Sequence, residues 1–386
     1  MKVLFLTRDL AVGGSQRQLA LLAAGLARRG HEVAVVVLYD GGALERLVGG
    51  SGVRLISIEK RSRWDLVAPL LKLRRLFIAE RPDTIYAFLP SQTTLAALLL
   101  PRRRTTKLVF GLRAGGVRLA HYDALSALTY RLEARLAQRA DFIVANARTV
   151  RTDATERGFP ADRIAVVPNG IDTDAMRPDA AAGRAKRRQW DLPDDAFVIG
   201  CVARLDPMKD HANLIRAAAA FVRANPDARF VCVGGGSASY RSTLTALARS
   251  LGLTDQVLWV GESDDVKAVY NAFDMATLSS AFGEGFPNVV GEAMACGIPV
   301  VATHVGDAGS IVGEFGEVVP PGIPDRLCAG WDRLRTRLVQ TPDLGAAARS
   351  SIVTRYSCDA MVQHTEDILA GLVAGRPPEE IARHYA

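Results

Sequence analysis

Short apolar runs rich in β-branched residues alternate with longer segments of helical periodicity along the whole chain, and this alternation excludes most folds. A strand, a covering helix and a further strand make a parallel sheet that is buried on both faces. Val3–Thr7, Val33–Leu38, Val53–Ile58, Thr84–Phe88, Lys107–Phe110, Phe142–Ala145 and Ile164–Val167 form a first set of predicted strands. Gln16–Arg29, Trp64–Arg81 and Tyr122–Arg139 are predicted helices among them. A second set follows at Phe197–Val202, Arg229–Val233, Val257–Val260, Met275–Leu278 and Pro299–Ala302, with helices near Asn213–Ala224, Ser239–Leu251 and Val289–Cys296. The pattern predicts an α/β protein with two Rossmann-like sheets in series.

Between the sets lies Val167-Pro168-Asn169-Gly170-Ile171-Asp172 and then a stretch rich in Pro, Asp and Ala, which is connector chemistry. The expected division is 1–170 for a first domain, 171–365 for a second, and 366–386 for a helical segment that packs back on the first. Ligands of such sheets bind beyond the carboxyl ends of the strands, so two facing sheets would share one interdomain cleft.

No apolar run approaches the roughly 18–20 residues of a membrane-spanning helix; the candidate Leu95 to Leu100 is a third of that. The start, Met1-Lys2 with apolar Val3 to Leu6 and then Thr7-Arg8-Asp9, does not read as a signal peptide. The chain reads as cytoplasmic, with peripheral contact at the inner face of the cytoplasmic membrane left open. Cys201, Cys232, Cys296, Cys328 and Cys358 stand singly, without a C-x-x-C pair, and are expected to be reduced. Residues 1–170 carry 27 Lys and Arg against 14 Asp and Glu, whereas the remainder is net acidic, so an acidic partner is expected at the first half.

Four elements carry chemistry. Gly13-Gly14 follows the first strand and opens a helix; it is either a plain turn or a place where backbone N–H groups approach an anion. Gly234-Gly235-Gly236 follows a later strand and matches a nicotinamide fingerprint only in part, with Ser239 at the third glycine position. Arg204 and Lys209 offer a fork and a point charge to one diphosphate, or form a solvated basic loop. Glu284 and Glu292 bracket Gly285-Phe286-Pro287-Asn288-Val289, so Glu284 sits in a loop while Glu292 lies about one turn inside a helix. Backbone N–H groups around Phe286, Pro287, Asn288 and Val289 suit phosphate or sugar hydroxyls.

Taken together and in this order, Gly13-Gly14, Asn169-Gly170-Ile171-Asp172, Arg204 with Lys209 at five-residue spacing and Glu284-x7-Glu292 resemble the retaining glycosyltransferases of family four, which have the GT-B fold. Arg29-Gly30-His31-Glu32-Val33 and Cys296-Gly297-Ile298-Pro299-Val300-Val301-Ala302 extend the resemblance over nearly the whole chain. It implies a UDP- or GDP-sugar donor held mainly by the second domain and a glycan or lipid-linked acceptor at the first, in surface polysaccharide or glycolipid synthesis. Glu292 would accept from the ribose hydroxyls and Glu284 from the donor sugar. Arg204 and Lys209 would hold the diphosphate, backbone groups at Phe286 to Val289 the sugar and phosphate, and Gly14 would approach the donor from the other domain. The sequence departs from the family at Leu112-Arg113, where many members carry a histidine; the nearest here is His121. Arg113 either takes over as an electrostatic contact to an acidic acceptor or phosphate, or is a solvated loop arginine.

No metal and no cofactor are expected, although Asp172-Thr173-Asp174 matches the D-x-D signature of metal-dependent glycosyltransferases of another fold. His31, His211, His304 and His364 lack ligand spacing and are expected to be structural or at the surface. Trp64–Arg81 is either a packed crossover helix, with Leu66, Leu70, Leu73 and Phe77 inward, or a contact to an anionic membrane. Alternative functions are a GT-B epimerase, a small-glycoside synthase and a non-enzymatic nucleotide-sugar-binding regulator. Nucleic acid is not expected, because Arg102-Arg103-Arg104 comes without an aromatic-interleaved basic surface.

Overall fold

The computed structural model describes residues 1–11, 13–62, 64–65, 67–101, 104–115 and 124–385. Arg63, Leu66, Arg102, Arg103, His121 and Tyr122 lie outside them.

Seven parallel strands build the first sheet: β1 Lys2–Thr7, β2 Glu32–Val37, β3 Arg54–Ser57, β4 Thr84–Phe88, β5 Lys107–Leu112, β6 Phe142–Ala145 and β7 Ile164–Val166. Their order is β3-β2-β1-β4-β5-β6-β7, which reverses direction between β1 and β4. Every residue of β4 is buried, the mark of a strand covered on both faces. β5 runs two residues beyond the expected Phe110. Its Gly111 makes the extension possible, since a Cβ there would stand 2.8 Å from the Phe88 ring and 3.0 Å from that of Tyr86.

The second unit has six parallel strands: β8 Phe197–Val202, β9 Ala228–Val233, β10 Val257–Gly261, β11 Met275–Leu278, β12 Val300–Thr303 and β13 Glu317–Val319. The order β10-β9-β8-β11-β12-β13 reverses between β8 and β11. Trp331 closes this core from the helix Pro324–Gln340, fully buried against Phe221 and Phe230, with its indole N–H donating to Thr277 Oγ1 at 3.1 Å.

The chain divides into Met1–Gly170 with Cys358–Ala386, and Ile171–Ser357. The return to the first unit thus begins at Cys358, eight residues before the expected 366. The reason is that one helix, Cys358–Val373, runs through that point and buries Met361 and Val362 within the first unit. Gly25 on the helix Gly14–Arg28 allows this, because a Cβ there would lie 2.3 Å from a methyl of Val362. The returning segment is acidic, so the first unit carries 29 Lys and Arg against 19 Asp and Glu, a smaller excess than residues 1–170 alone.

The first stretch of unit one, Met1–Gly170, ends at a residue clamped by a distant one. Buried Gln18 donates from Nε2 to Gly170 O at 2.9 Å and accepts from Gly170 N at 2.8 Å, and a Cβ on Gly170 would lie 2.8 Å from Cys358 Cα. Changing Gln18 to Ala orphans both backbone groups, each at a cost of about 1–3 kcal/mol. Chemical denaturation followed by circular dichroism should show an earlier transition for Gln18→Ala; an unchanged midpoint would contradict the clamp.

Candidate functional site

The loops that follow β8 and β11 lie at the order reversal of the second sheet, and they carry the charged residues singled out in the sequence. After β8, Asp206 caps the turn Pro207–Lys209 through Met208 N at 2.9 Å, and Asp210, at φ 47°, caps the helix His211–Ala224 through Asn213 N at 3.1 Å. After β11, Ser279 Oγ donates to Lys209 O at 2.7 Å and Ala281 N to Met208 O at 2.8 Å, so the two loops are stitched together.

Within that frame Lys209 Nζ lies 2.5 Å from Glu284 Oε1, with both side chains largely buried. Ser280 Oγ donates to the same oxygen at 2.7 Å. Glu292 lies in the helix Asn288–Ala295, is 9% exposed and accepts from the Tyr270 hydroxyl at 3.0 Å. That helix begins without a side-chain cap at Pro287, and Asn288 and Val289 in its first turn are partly exposed. The Phe286 ring is buried at 5.3 Å from that of Tyr356, which leaves only its backbone for a ligand. Arg204 is exposed and has no hydrogen bond or ion pair among the described residues.

Two glycines let these loops approach. Gly234 has φ 145° and a Cβ on it would meet Ala203 O at 2.1 Å, beside the bond from Leu205 N to Gly235 O. A Cβ on Gly306, at φ 54°, would lie 2.3 Å from Gly285 O, and Asp307 N donates to that oxygen at 2.8 Å. The triple glycine therefore packs against the Arg204 loop, a role its partial match to the nicotinamide fingerprint did not suggest.

In the first unit, Gly13 has extended backbone and is the N-cap of the helix Gly14–Arg28, with Gly14 exposed at its first position. Arg113, just past β5, is not a solvated loop arginine. Its guanidinium lies over the Phe88 ring at 4.1 Å and donates to Asn169 Oδ1 at 3.2 Å and the Tyr86 hydroxyl at 3.1 Å. Burial pulls its pKa below the ordinary arginine value, and an arginine so placed still keeps its charge.

Asp172 Oδ1 accepts from Ala175 N at 3.0 Å, so the first carboxylate of the D-x-D match caps a turn. Among the described residues no group of three His, Cys, Asp or Glu side chains is arranged to hold a metal ion. Cys201, Cys232 and Cys296 are buried thiols, and burial pushes Cys201 and Cys296 up to about 12. His211 is fully buried beside the Lys209 turn, and burial, reinforced by the Lys209 charge, pulls it down to about 4, so it is neutral at pH 7. Tyr270 and Ser280, which hold the two glutamates, were not singled out by sequence; no local spacing marks them.

Two parallel sheets, each with an order reversal, and a charged loop pair at the second of them define a Rossmann-like pair of GT-B type. Glycosyltransferase Family 4 matches residues 12–175 and Glycosyl transferases group 1 matches residues 183–336. The chain belongs to the family-four glycosyltransferases of the GT-B fold. It is 35% identical over 263 residues to a D-inositol 3-phosphate glycosyltransferase of Salinispora tropica, covering 63% of this chain and 53% of that one. It is 32% identical over 227 residues to a GDP-mannose-dependent alpha-(1-6)-phosphatidylinositol monomannoside mannosyltransferase of Mycobacterium tuberculosis, covering 56% and 58%. The chain thus spans little more than half the length of these curated relatives. Anabaena Alr3699/HepE in complex with UDP-glucose superposes with a TM-score of 0.83 at 25% identity, over 96% of this chain and all of that one.

The Lys209–Glu284 pair carries a direct stability test. Removing one partner of a buried ion pair leaves the other uncompensated, at about 3 kcal/mol, the low end of the usual range. Lys209→Met should lower the melting temperature clearly, and Lys209→Met with Glu284→Gln should recover most of the loss. Equal destabilisation by the single and double variants would show that the two side chains are not coupled.

Proposed function

We propose that this protein is a retaining glycosyltransferase that moves a sugar from a nucleotide-sugar donor, a UDP- or GDP-sugar, to a saccharide or lipid-linked acceptor in surface polysaccharide or glycolipid synthesis. The observation that carries the reading is the convergence of Arg204, Lys209, Glu284 and the first turn of Asn288–Ala295 at the strand-order reversal of the second unit, where ligands of such sheets bind. The UDP-glucose held by the HepE neighbour and the GDP-mannose in the name of the mannosyltransferase relative support a nucleotide-sugar donor. Unit two is the donor side and unit one the acceptor side of this reading.

Transfer breaks the bond between the anomeric carbon and a diphosphate oxygen. The electron pair leaves with that oxygen, so negative charge grows on the diphosphate. Arg204 and Lys209 are cations that oppose it more strongly in the transition state than in the ground state. The acceptor hydroxyl attacks from the face of departure, its oxygen forms the new bond to the anomeric carbon, and its proton passes to the leaving phosphate oxygen. This step retains configuration without a carboxylate nucleophile. Glu292, steadied by Tyr270, accepts from the ribose hydroxyls. Glu284 accepts from the donor sugar once Lys209 turns part of its charge to the diphosphate. Two cations offset most of the leaving group's charge, so the mechanism needs no metal ion.

The test is donor hydrolysis and nucleotide binding over a panel of UDP-, GDP- and ADP-sugars, run in excess chelator. At least one donor is expected to be hydrolysed at a rate that added Mn²⁺ does not raise. Glu292→Ala should weaken nucleoside diphosphate and nucleotide sugar alike, and Glu284→Ala only the latter, each about ten- to a hundredfold for a charged hydrogen bond. Hydrolysis that needs Mn²⁺, or unchanged nucleotide binding in Glu292→Ala, would overturn these roles.

We also propose that the first unit meets an anionic membrane surface from the cytoplasmic side. The helix Val67–Glu80 packs inward through Pro69, Leu73 and Phe77, while Val67, Leu71 and Ile78 are exposed beside Arg74 and Arg75. Apolar residues flanked by cations suit the headgroup region of a bilayer. Among the described residues no helix is long and apolar enough to cross a membrane. Sedimentation with vesicles should show more binding to anionic than to neutral lipid, fading with salt as screening sets in over about 8–10 Å. Indifference to lipid charge would point to a water-borne acceptor.

A further inference from the structure

Arg113 and Asn146 each stand one residue beyond a pair of register partners, Leu112 on β5 and Ala145 on β6, so they are neighbours at the carboxyl edge of the first sheet. Asn146 Nδ2 donates to Arg113 O at 3.4 Å, which sets the amide orientation and leaves its Oδ1 as the unused acceptor. That Oδ1 and Arg113 Nε are both buried without a hydrogen-bond partner among the described residues. The guanidinium donates to two neutral oxygens, those of Asn169 and Tyr86, and burial keeps the Tyr86 phenol protonated. No carboxylate pairs with it among the described residues.

A half-buried charge without a counter-charge is costly, and so is an orphaned polar atom beside it. The charge and the unpaired Nε–H are both met when something outside the chain supplies an oxyanion, whereas Asn146 Oδ1, an acceptor, takes only a donor such as a hydroxyl of the same molecule. Phe88 and Tyr86, seated by Gly111, hold the guanidinium plane so firmly that it is ready for a planar or tetrahedral oxyanion before one arrives. The contrast within the same unit is Arg157, which has Glu133 at 3.1 Å and needs no ligand to complete it.

We infer that Arg113, with Asn146 beside it, is the recognition point for a phosphate ester on the acceptor, so that the enzyme selects an anionic acceptor over its neutral analogue. This inference rests on the glycosyltransferase reading. The phosphate could belong to a free phosphorylated polyol, as a monoester, or to a lipid headgroup, as a diester.

The experiment first titrates the whole protein with UDP and GDP, then fills the donor site with whichever binds, so that Arg204 and Lys209 are occupied. Glycerol, glycerol 3-phosphate and glycerophosphoglycerol are then added, with calorimetry for affinity and the Arg113 Nε–H resonance as a local reporter, assigned by its loss in Arg113→Lys. A phosphate ester should bind about ten- to a hundredfold tighter than glycerol and shift that resonance. Preference for the monoester identifies a free phosphorylated acceptor, and preference for the diester a lipid headgroup. Arg113→Gln should reduce the esters to the level of glycerol and Arg113→Lys should keep part of the preference, with nucleotide affinity unchanged in both. Esters that bind the loaded wild type no better than glycerol, or a preference that survives in Arg113→Gln, would overturn the inference. Failure of both nucleotides to bind would instead overturn the function on which it rests, and it is read before any ester is added. The resonance shift is measured on the wild type, so the test stands even if Arg113→Gln folds poorly.

Discussion

Parallel strands can be joined only by crossovers, and the direction in which the strand order grows decides which face each crossover helix covers. Where the order reverses, consecutive helices go to opposite faces and the loops that lead into them part. Both sheets have such a reversal, between β1 and β4 and between β8 and β11. Gly13-Gly14 follows β1, and the Arg204–Lys209 loop and the Glu284 loop follow β8 and β11. The residues singled out in each unit therefore sit at the order reversal of its sheet.

Holding charge in the second gap requires a balance. Lys209 and Glu284 pair with each other, Ser280 steadies the pair, and Arg204 is exposed. In the proposed reaction an incoming diphosphate would meet one cation already available and a second that exchanges partners, and the released carboxylate would turn to hydroxyls. His211 completes the arrangement from below: a protonated imidazole beside Lys209 would add like charge, and its burial prevents that.

Most strands were legible in the sequence because burial on both faces writes them as apolar runs; Thr84–Phe88 and Met275–Leu278 coincide with the expectation to the residue. β13 was not, since three residues beginning with Glu317, held by Arg333 and Arg337, give no apolar run. The return at Cys358 escaped for a related reason. Leu344–Tyr356 and Cys358–Val373 are separated by Ser357 alone, without the Gly and Pro that mark the connector at 167–172. In the site, the order of Arg204, Lys209, Glu284 and Glu292 was readable, and the residues that position them were not. Tyr270 reaches Glu292 across 22 positions, and Arg113 reaches Asn169 across 56, distances at which only the folded sheet brings side chains together.

The central claim is that Arg204 and Lys209 hold the donor diphosphate at the β8–β11 reversal. A crystal structure of the protein with its preferred nucleoside diphosphate measures this most directly. The account predicts phosphate oxygens within hydrogen-bonding distance of both side chains, with Lys209 drawn from Glu284 and the ribose hydroxyls on Glu292. A nucleotide bound elsewhere, with the Lys209–Glu284 pair intact, would contradict it.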